Sequence, residues 1–170
     1  LLQQRCKQQD DYLRWLAALI SDTGMRLAEA VGLSKDDLKL ADEIPHVVIR
    51  KHPWRPLKTS GSERVIPLVG VALWASQRLS DTVSGEFLFP QYVDGILTNA
   101  NSASAALNKW MKTFLSKECV VHGMRHAFRD RLRAVNAPTD MIDQLGGWSL
   151  QSVGQGYGVG YDITICSSAL

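Results

Sequence analysis

The chain has 170 residues, 45% of them hydrophobic, and a formal net charge of only +2. That length suits one domain with a proper core, and the sequence holds neither a run of eighteen apolar residues nor an apolar leader at its start, which argues against a spanning helix and for a cytosolic protein. Cys6, Cys119 and Cys166 are odd in number and far apart, fitting neither a disulfide framework nor a C-x-x-C metal site, and any anion-binding surface must come from clustering of basic residues rather than from total charge.

In chain order, residues Leu1 to Ile20 read as one helix, with Leu13, Leu16, Ala17 and Ile20 at core spacing. The chain starts without Met, part-way into helical sequence, so a preceding domain is expected. Ser21-Asp22-Thr23 supplies capping side chains for a helix from about Gly24 to Val31, closed by Gly32. Arg26 falls in its first turn, where the helix dipole disfavours a cation unless an anion is bound nearby, and Glu29 stands three residues on. The plainer reading of these two is a surface ion pair. Leu38 to Ala41, His46 to Lys51 and Glu63 to Leu68 read as three antiparallel strands, the last two joined through Lys58-Thr59-Ser60-Gly61-Ser62 with Lys58 at the hairpin tip. Val69 to Leu79 and Thr98 to Lys117 read as helices, and Phe87 to Pro90 as a buried extended piece.

The most informative stretch runs from Val121 to Tyr161. Helical period puts Met124, Phe128, Leu132 and Val135 on one side and His122, His126, Arg129 and Arg133 opposite, with Arg125 at the border. One face is core and the other cationic. Asn136-Ala137-Pro138 breaks this helix, and a second, Pro138 to Leu145, stops at Gly146-Gly147 just before Trp148. Tyr157 follows nine residues after Trp148, between two glycines. Taken singly, a basic amphipathic helix is a solvated face and a tryptophan after a helix is core.

Together, H-x-x-R at His122 and Arg125, G-G-W ending at Trp148, and Tyr157 resemble the C-terminal signature of the tyrosine recombinase (phage integrase) family. Thr23 to Leu33, TGMRLAEAVGL, closely resembles the first motif of that family, T-G-x-R-x-x-E, and K-T-x-G-x-x-R-x-I-P-L from Lys58 is similar to its lysine segment. The resemblance implies an α+β fold, mainly helical with a small three-stranded antiparallel sheet, over residues 1–170 as the catalytic domain. It implies Arg26, Lys58, His122, Arg125, Trp148 and Tyr157 as catalytic residues with Glu29 in support. Lys51, Arg55 and Arg64 compete with Lys58 for the lysine role, and Arg55, Arg64 and Arg129 are expected to contact DNA.

The chemistry suits these residue types. A phosphodiester needs charge neutralisation, a nucleophile and a proton for the leaving oxygen. Arg26 and Arg125 offer permanently charged forks, His122 and Trp148 add hydrogen bonds, His122 can take the proton of the Tyr157 hydroxyl, and Lys58 can protonate the departing oxygen. With no H-E-x-x-H, D-x-D cluster or Walker loop, neither metal nor nucleotide cofactor is expected. The resemblance further implies double-stranded DNA as partner, a homo-tetramer on DNA for the complete protein with this chain alone monomeric, no membrane association, and a place in the cytoplasm on bacterial or phage DNA. Type IB topoisomerase-like relaxation, or a DNA-binding module that has lost catalysis, are the alternatives. The segment after Tyr161, expected to dock on a neighbouring subunit, is short.

Overall fold

Helix α2 (Tyr12–Thr23) runs through the middle of the molecule, and every residue from Trp15 to Thr23 is buried. The structure, a computed structural model, describes residues 1–58, 62–148 and 160–170. Around α2 pack α1 (Leu2–Gln9), α3 (Leu27–Val31), α4 (Gly70–Thr82), α5 (Ala100–Met111) and α6 (Val121–Ala134). Among the described residues no helix is long and apolar enough to cross a membrane.

The first expected helix is two. Asp10 adopts a left-handed backbone with φ 45° and ends α1, and Asp11 caps α2 by accepting the Arg14 backbone N–H at 3.1 Å. Asp10 also accepts the Trp15 indole N–H at 2.7 Å, which fixes the corner.

Ser21-Asp22-Thr23 does not open the next helix but forms the last turn of α2. The Asp22 carboxylate caps a different element: it accepts the Val71 N–H at the start of α4 at 3.0 Å and pairs with Arg131 of α6 at 2.9 Å, tying three helices together. Gly24 then turns the chain. Its φ is +60°, and a Cβ there would lie 2.3 Å from the Phe128 ring, so only glycine permits both the turn and the close approach of α6. Burying Phe128 in that contact contributes roughly 2–3 kcal/mol.

The sheet is the expected one, antiparallel in the order β1 (Leu38–Lys39), β2 (His46–Ile49), β3 (Arg64–Pro67), with Val47 opposite Ile66 and Ile49 opposite Arg64. Val47, Ile49 and Ile66 point into the core by the two-residue strand period. Helix α5 is shorter than expected: Asn99 caps its start, accepting the Ser102 N–H at 3.0 Å, and after Met111 the chain passes into tighter turns, with the Thr113 N–H donating to the Trp110 carbonyl and the Phe114 N–H to the Met111 carbonyl.

Helix α6 buries Met124, Phe128 and Leu132 as expected, but Val135 is exposed. The helix ends at Ala134 and the chain swings towards Asn136, whose φ is 56°, so Val135 leaves the helical face. Pro138 stands at the cap of α7 (Thr139–Gly146), and Gly147 closes it with φ 61°. Beyond Tyr161 the chain forms α8 (Ile163–Ser168), capped by Asp162, which packs on β3 of its own chain and buries Cys166.

Candidate active site

Three segments that are far apart in sequence meet at one end of α2: the turn carrying Arg26, the first turns of α6, and the exit of α7. Arg26 sits just before α3 as its cap, one residue outside the helix and not in its first turn. Its backbone N–H donates to Glu29 Oε2 at 2.8 Å and its Nη1 to Glu29 Oε1 at 2.8 Å. Nη1 also reaches the Ser62 hydroxyl at 3.4 Å, and Nη2 donates to the Gly147 carbonyl at 3.0 Å.

This is no surface ion pair. Glu29 is 3% exposed, and its carboxylate takes a second arginine, Arg64, at 2.8 Å. Burial pushes the Glu29 carboxyl up, but the hydrogen bonds and charge of Arg64, with the hydrogen bonds of Arg26, outweigh it and hold the group below its ordinary value. Glu29 stays ionised and acts as the fixed post to which Arg26 is tied.

Arg125, 4% exposed, projects from α6 so that its Nη1 donates to the Gly24 carbonyl. Its guanidinium lies 4.2 Å from the centre of the Trp148 ring, and that of Arg129 lies 5.0 Å from it, so the indole is flanked by two cations. Arg129 has a carboxylate, Asp143, at 3.4 Å. Among the described residues no carboxylate is in ion-pair contact with Arg125, though the charge of Glu29 is felt there, and its Nη2 is buried without a hydrogen-bond partner. Burial and the like charges of Arg26 and Arg64 lower its pKa from the ordinary value of 12.5 to about 10. An unpartnered buried donor on a destabilised cation is the arrangement an anion completes.

His122 lies one turn before His126 on the exposed face of α6, with ring centres 5.0 Å apart at 82°. Desolvation, then the neighbouring charges of His126, Arg125, Arg26 and Lys58, lowers its pKa below the usual imidazole value. Lys58 is exposed and belongs to this electrostatic neighbourhood. The imidazole is therefore held neutral, which is the form that can accept a proton.

Two residues expected to contact DNA do not face outward. Arg55 is 1% exposed, its Nη1 donating to the Glu29 carbonyl at 2.8 Å and its Nη2 to the Arg50 carbonyl, with Asp37 3.7 Å away. Gly32 makes room for it, since a Cβ there would lie 2.6 Å from Arg55 Cδ. Arg64 is 8% exposed and donates to Glu29, Ser62 and Leu145. Each guanidinium is turned into the protein towards carbonyl and carboxylate oxygens, and although Arg55 Nε has no partner among the described residues, at 1% exposure it is shut away from a phosphate. Arg129 keeps partial exposure beside Trp148. Tyr157 lies outside the described residues, whereas Tyr161 is tied down: its hydroxyl donates to Asp140 at 3.0 Å and its N–H to Gln144 at 2.8 Å.

The sequence reading passed over Asp143 and the Gly147 carbonyl. Asp143 is buried, steadies Arg129, and accepts the Trp148 backbone N–H on its carbonyl at 3.0 Å. The glycine pair before Trp148 is the signal that could have found the carbonyl, because the left-handed turn at Gly147 leaves that oxygen free for Arg26.

A profile of the phage integrase family matches residues 1–158. No curated protein matches the chain. Among solved structures, the Tn1549 transposon integrase in complex with transposon right end DNA is 18% identical with a TM-score of 0.56, over 96% of this chain and 62% of that one. The same integrase with a circular intermediate DNA gives 19% identity and a TM-score of 0.60 over 96% and 62%. The XerH site-specific recombinase bound to a palindromic difH substrate gives 20% and 0.58 over 81% of this chain and 39% of that one. At such identities the likeness is one of fold, and the chain spans 62% or less of the length of these neighbours.

Proposed function

The chain belongs to the phage integrase family, and from that premise we propose that it cuts and rejoins double-stranded DNA for site-specific recombination through a 3′-phosphotyrosyl intermediate. The observation that carries the reading is the Arg125 guanidinium, buried beside Trp148 within the electrostatic reach of Arg26, with one nitrogen left without a partner among the described residues. Two guanidinium groups near enough to feel each other's charge suit the two non-bridging oxygens of a phosphodiester.

In this mechanism the Tyr157 oxygen attacks phosphorus, a new ester bond forms, and the bond to the 5′ oxygen breaks. His122, held neutral, takes the phenolic proton, and Lys58 gives a proton to the leaving oxygen. Attack by a 5′-hydroxyl reverses the step and releases Tyr157. No net bond energy is lost, so the cycle needs no external energy source. The complete protein acts as a homo-tetramer on DNA in the cytoplasm, and this chain alone is monomeric.

The test is covalent capture. Nicked duplexes from a randomised pool, in which the cut end diffuses away, should leave DNA on the protein that resists denaturant. The arginines carry the phosphate charge in this reading, so capture should survive excess EDTA unchanged. A chelator-dependent adduct would defeat that part of the proposal, and relaxation of supercoiled plasmid with no preferred site would point to topoisomerase-like action instead.

A pH profile tests the base. With its pKa lowered, His122 should keep working in mild acid, so the acid limb of capture should fall below the ordinary imidazole value of about 6.5. His126→Ala removes a neighbouring positive charge and should move that limb upward by a fraction of a pH unit. An acid limb above the ordinary value, unmoved by His126→Ala, would remove His122 from the role.

A further inference from the structure

The Arg26 guanidinium is held by Glu29, Ser62 and Gly147, and a single buried side chain holds all of these in turn. Arg64 donates to the two Glu29 oxygens at 2.8 and 3.2 Å, to the Ser62 carbonyl at 2.8 Å, and to the Leu145 carbonyl at 2.8 Å. Gly147 follows Leu145 by two residues and lies against the same guanidinium, where an added Cβ would stand 2.7 Å from Arg64 Nη1. The contacts close a ring: Arg26, Glu29, Arg64, the end of α7, and back to Arg26 through the Gly147 carbonyl.

Arg64 is buried at 8% exposure and all three of its nitrogens donate to protein oxygens, so it is turned away from DNA. We infer that Arg64 is the positioning residue for Arg26, fixing from beneath the place at which Arg26 presents its charge to the scissile phosphate. The inference rests on the strand-cleavage reading above. A planar fork is what the task requires, since it reaches α3, Ser62 and α7 at once in fixed directions; a lysine keeps the charge but its compact ammonium does not span all three.

The probe is a nicked duplex selected by covalent capture on the unaltered chain, made in two forms: one with the normal scissile phosphodiester, the other with a methylphosphonate, which carries no negative charge there. Arg64→Lys should slow single-turnover capture on the phosphodiester by roughly 100-fold, the loss typical of a misplacement of about 1 Å, with duplex affinity changed by less than about threefold. On the methylphosphonate, which does not need Arg26 for neutralisation, the variant should return to within about tenfold of the unaltered chain, and Arg26→Ala should show the same pattern. A residue that merely supports the fold would slow both substrates alike, and that result overturns the inference. So does capture by Arg64→Lys at the unaltered rate.

If Arg64→Lys fails to fold, Glu29→Gln combined with Arg64→Gln removes the buried pair and leaves only the partly exposed Arg26 without its carboxylate, and the same recovery on methylphosphonate is expected of it. Equal slowing of both substrates by that folded double variant again overturns the inference. Failure of the unaltered chain to capture any duplex is a different outcome: it removes the cleavage reading itself, and the inference with it.

Discussion

Tyr157→Phe should abolish covalent capture of DNA, by about 10⁴-fold or more as befits loss of a nucleophile, while Tyr161→Phe leaves it standing. The two phenols are close in sequence, and Tyr161 is held by other groups. The Tyr161 hydroxyl donates to Asp140 at 3.0 Å, its backbone N–H donates to the Gln144 side chain at 2.8 Å, and its carbonyl accepts the Gln144 Nε2 at 2.9 Å. The hydrogen bond to Asp140, with some desolvation and the charge of that carboxylate, raises the Tyr161 pKa, the opposite of what a nucleophile needs. Tyr161 is a strut that fixes the start of α8 against α7. Trp148, nine residues before Tyr157 in sequence, lies against Arg125 and Arg129. The measurement is denaturing gel capture of a nicked duplex, with binding followed separately by gel shift. Both variants should bind DNA as the unaltered chain does. If Tyr161→Phe loses the adduct and Tyr157→Phe keeps it, the assignment is wrong.

Much of the architecture could be read from patterns whose physical cause is local. The alternation in HVVI and RVIP gave the strands their faces, and the apolar stripe of Met124, Phe128 and Leu132 gave α6 its buried side. Where local signals pointed two ways, tertiary contacts decided. Asp22 is a good capping residue, and it does cap, but the helix it caps is α4, brought to it by the fold and not by the chain. The site was legible in its residue types and less so in their duties. Arg64 and Ile66 share one face of β3 by strand period, so the inward direction of Arg64 was present in the pattern. Charge was taken as the sign of a surface residue, and the carboxylate that makes an inward arginine stable, Glu29, is 35 residues away in sequence. Arg55 carried no such signal: its hydrogen bonds run to backbone carbonyls, which any sequence provides, with the Asp37 carboxylate farther off at 3.7 Å.

Removing the charge of Arg125 should make the free chain more stable and nearly inactive. The guanidinium is buried among Arg26, Arg64 and Arg129, and burial first, then those charges, brings its pKa down to about 10. A base whose folded pKa is depressed destabilises the folded state at every pH below that value, because both states carry the proton and only the folded one holds it unfavourably. The effect fades as pH rises through about 10. A shift from 12.5 to about 10 corresponds to roughly 3 kcal/mol. Against it stand the bond to the Gly24 carbonyl and the contact with Trp148, each worth about 1 kcal/mol. Arg125→Met, which keeps the volume, should therefore gain about 1 kcal/mol and raise the melting temperature by about 2–4 °C for a chain of this size. Inorganic phosphate at ten times its dissociation constant should stabilise the unaltered chain by about 1.4 kcal/mol through the same site, and should leave Arg125→Met where it was. Covalent capture should fall by about 10²–10³-fold, the loss seen when one preorganised donor to a developing charge is removed. Thermal unfolding with and without phosphate reads the first two effects and nicked-duplex capture the third. A melting temperature that drops on substitution while the response to phosphate persists would mean that Arg125 is a structural cation, and that the anion is bound elsewhere.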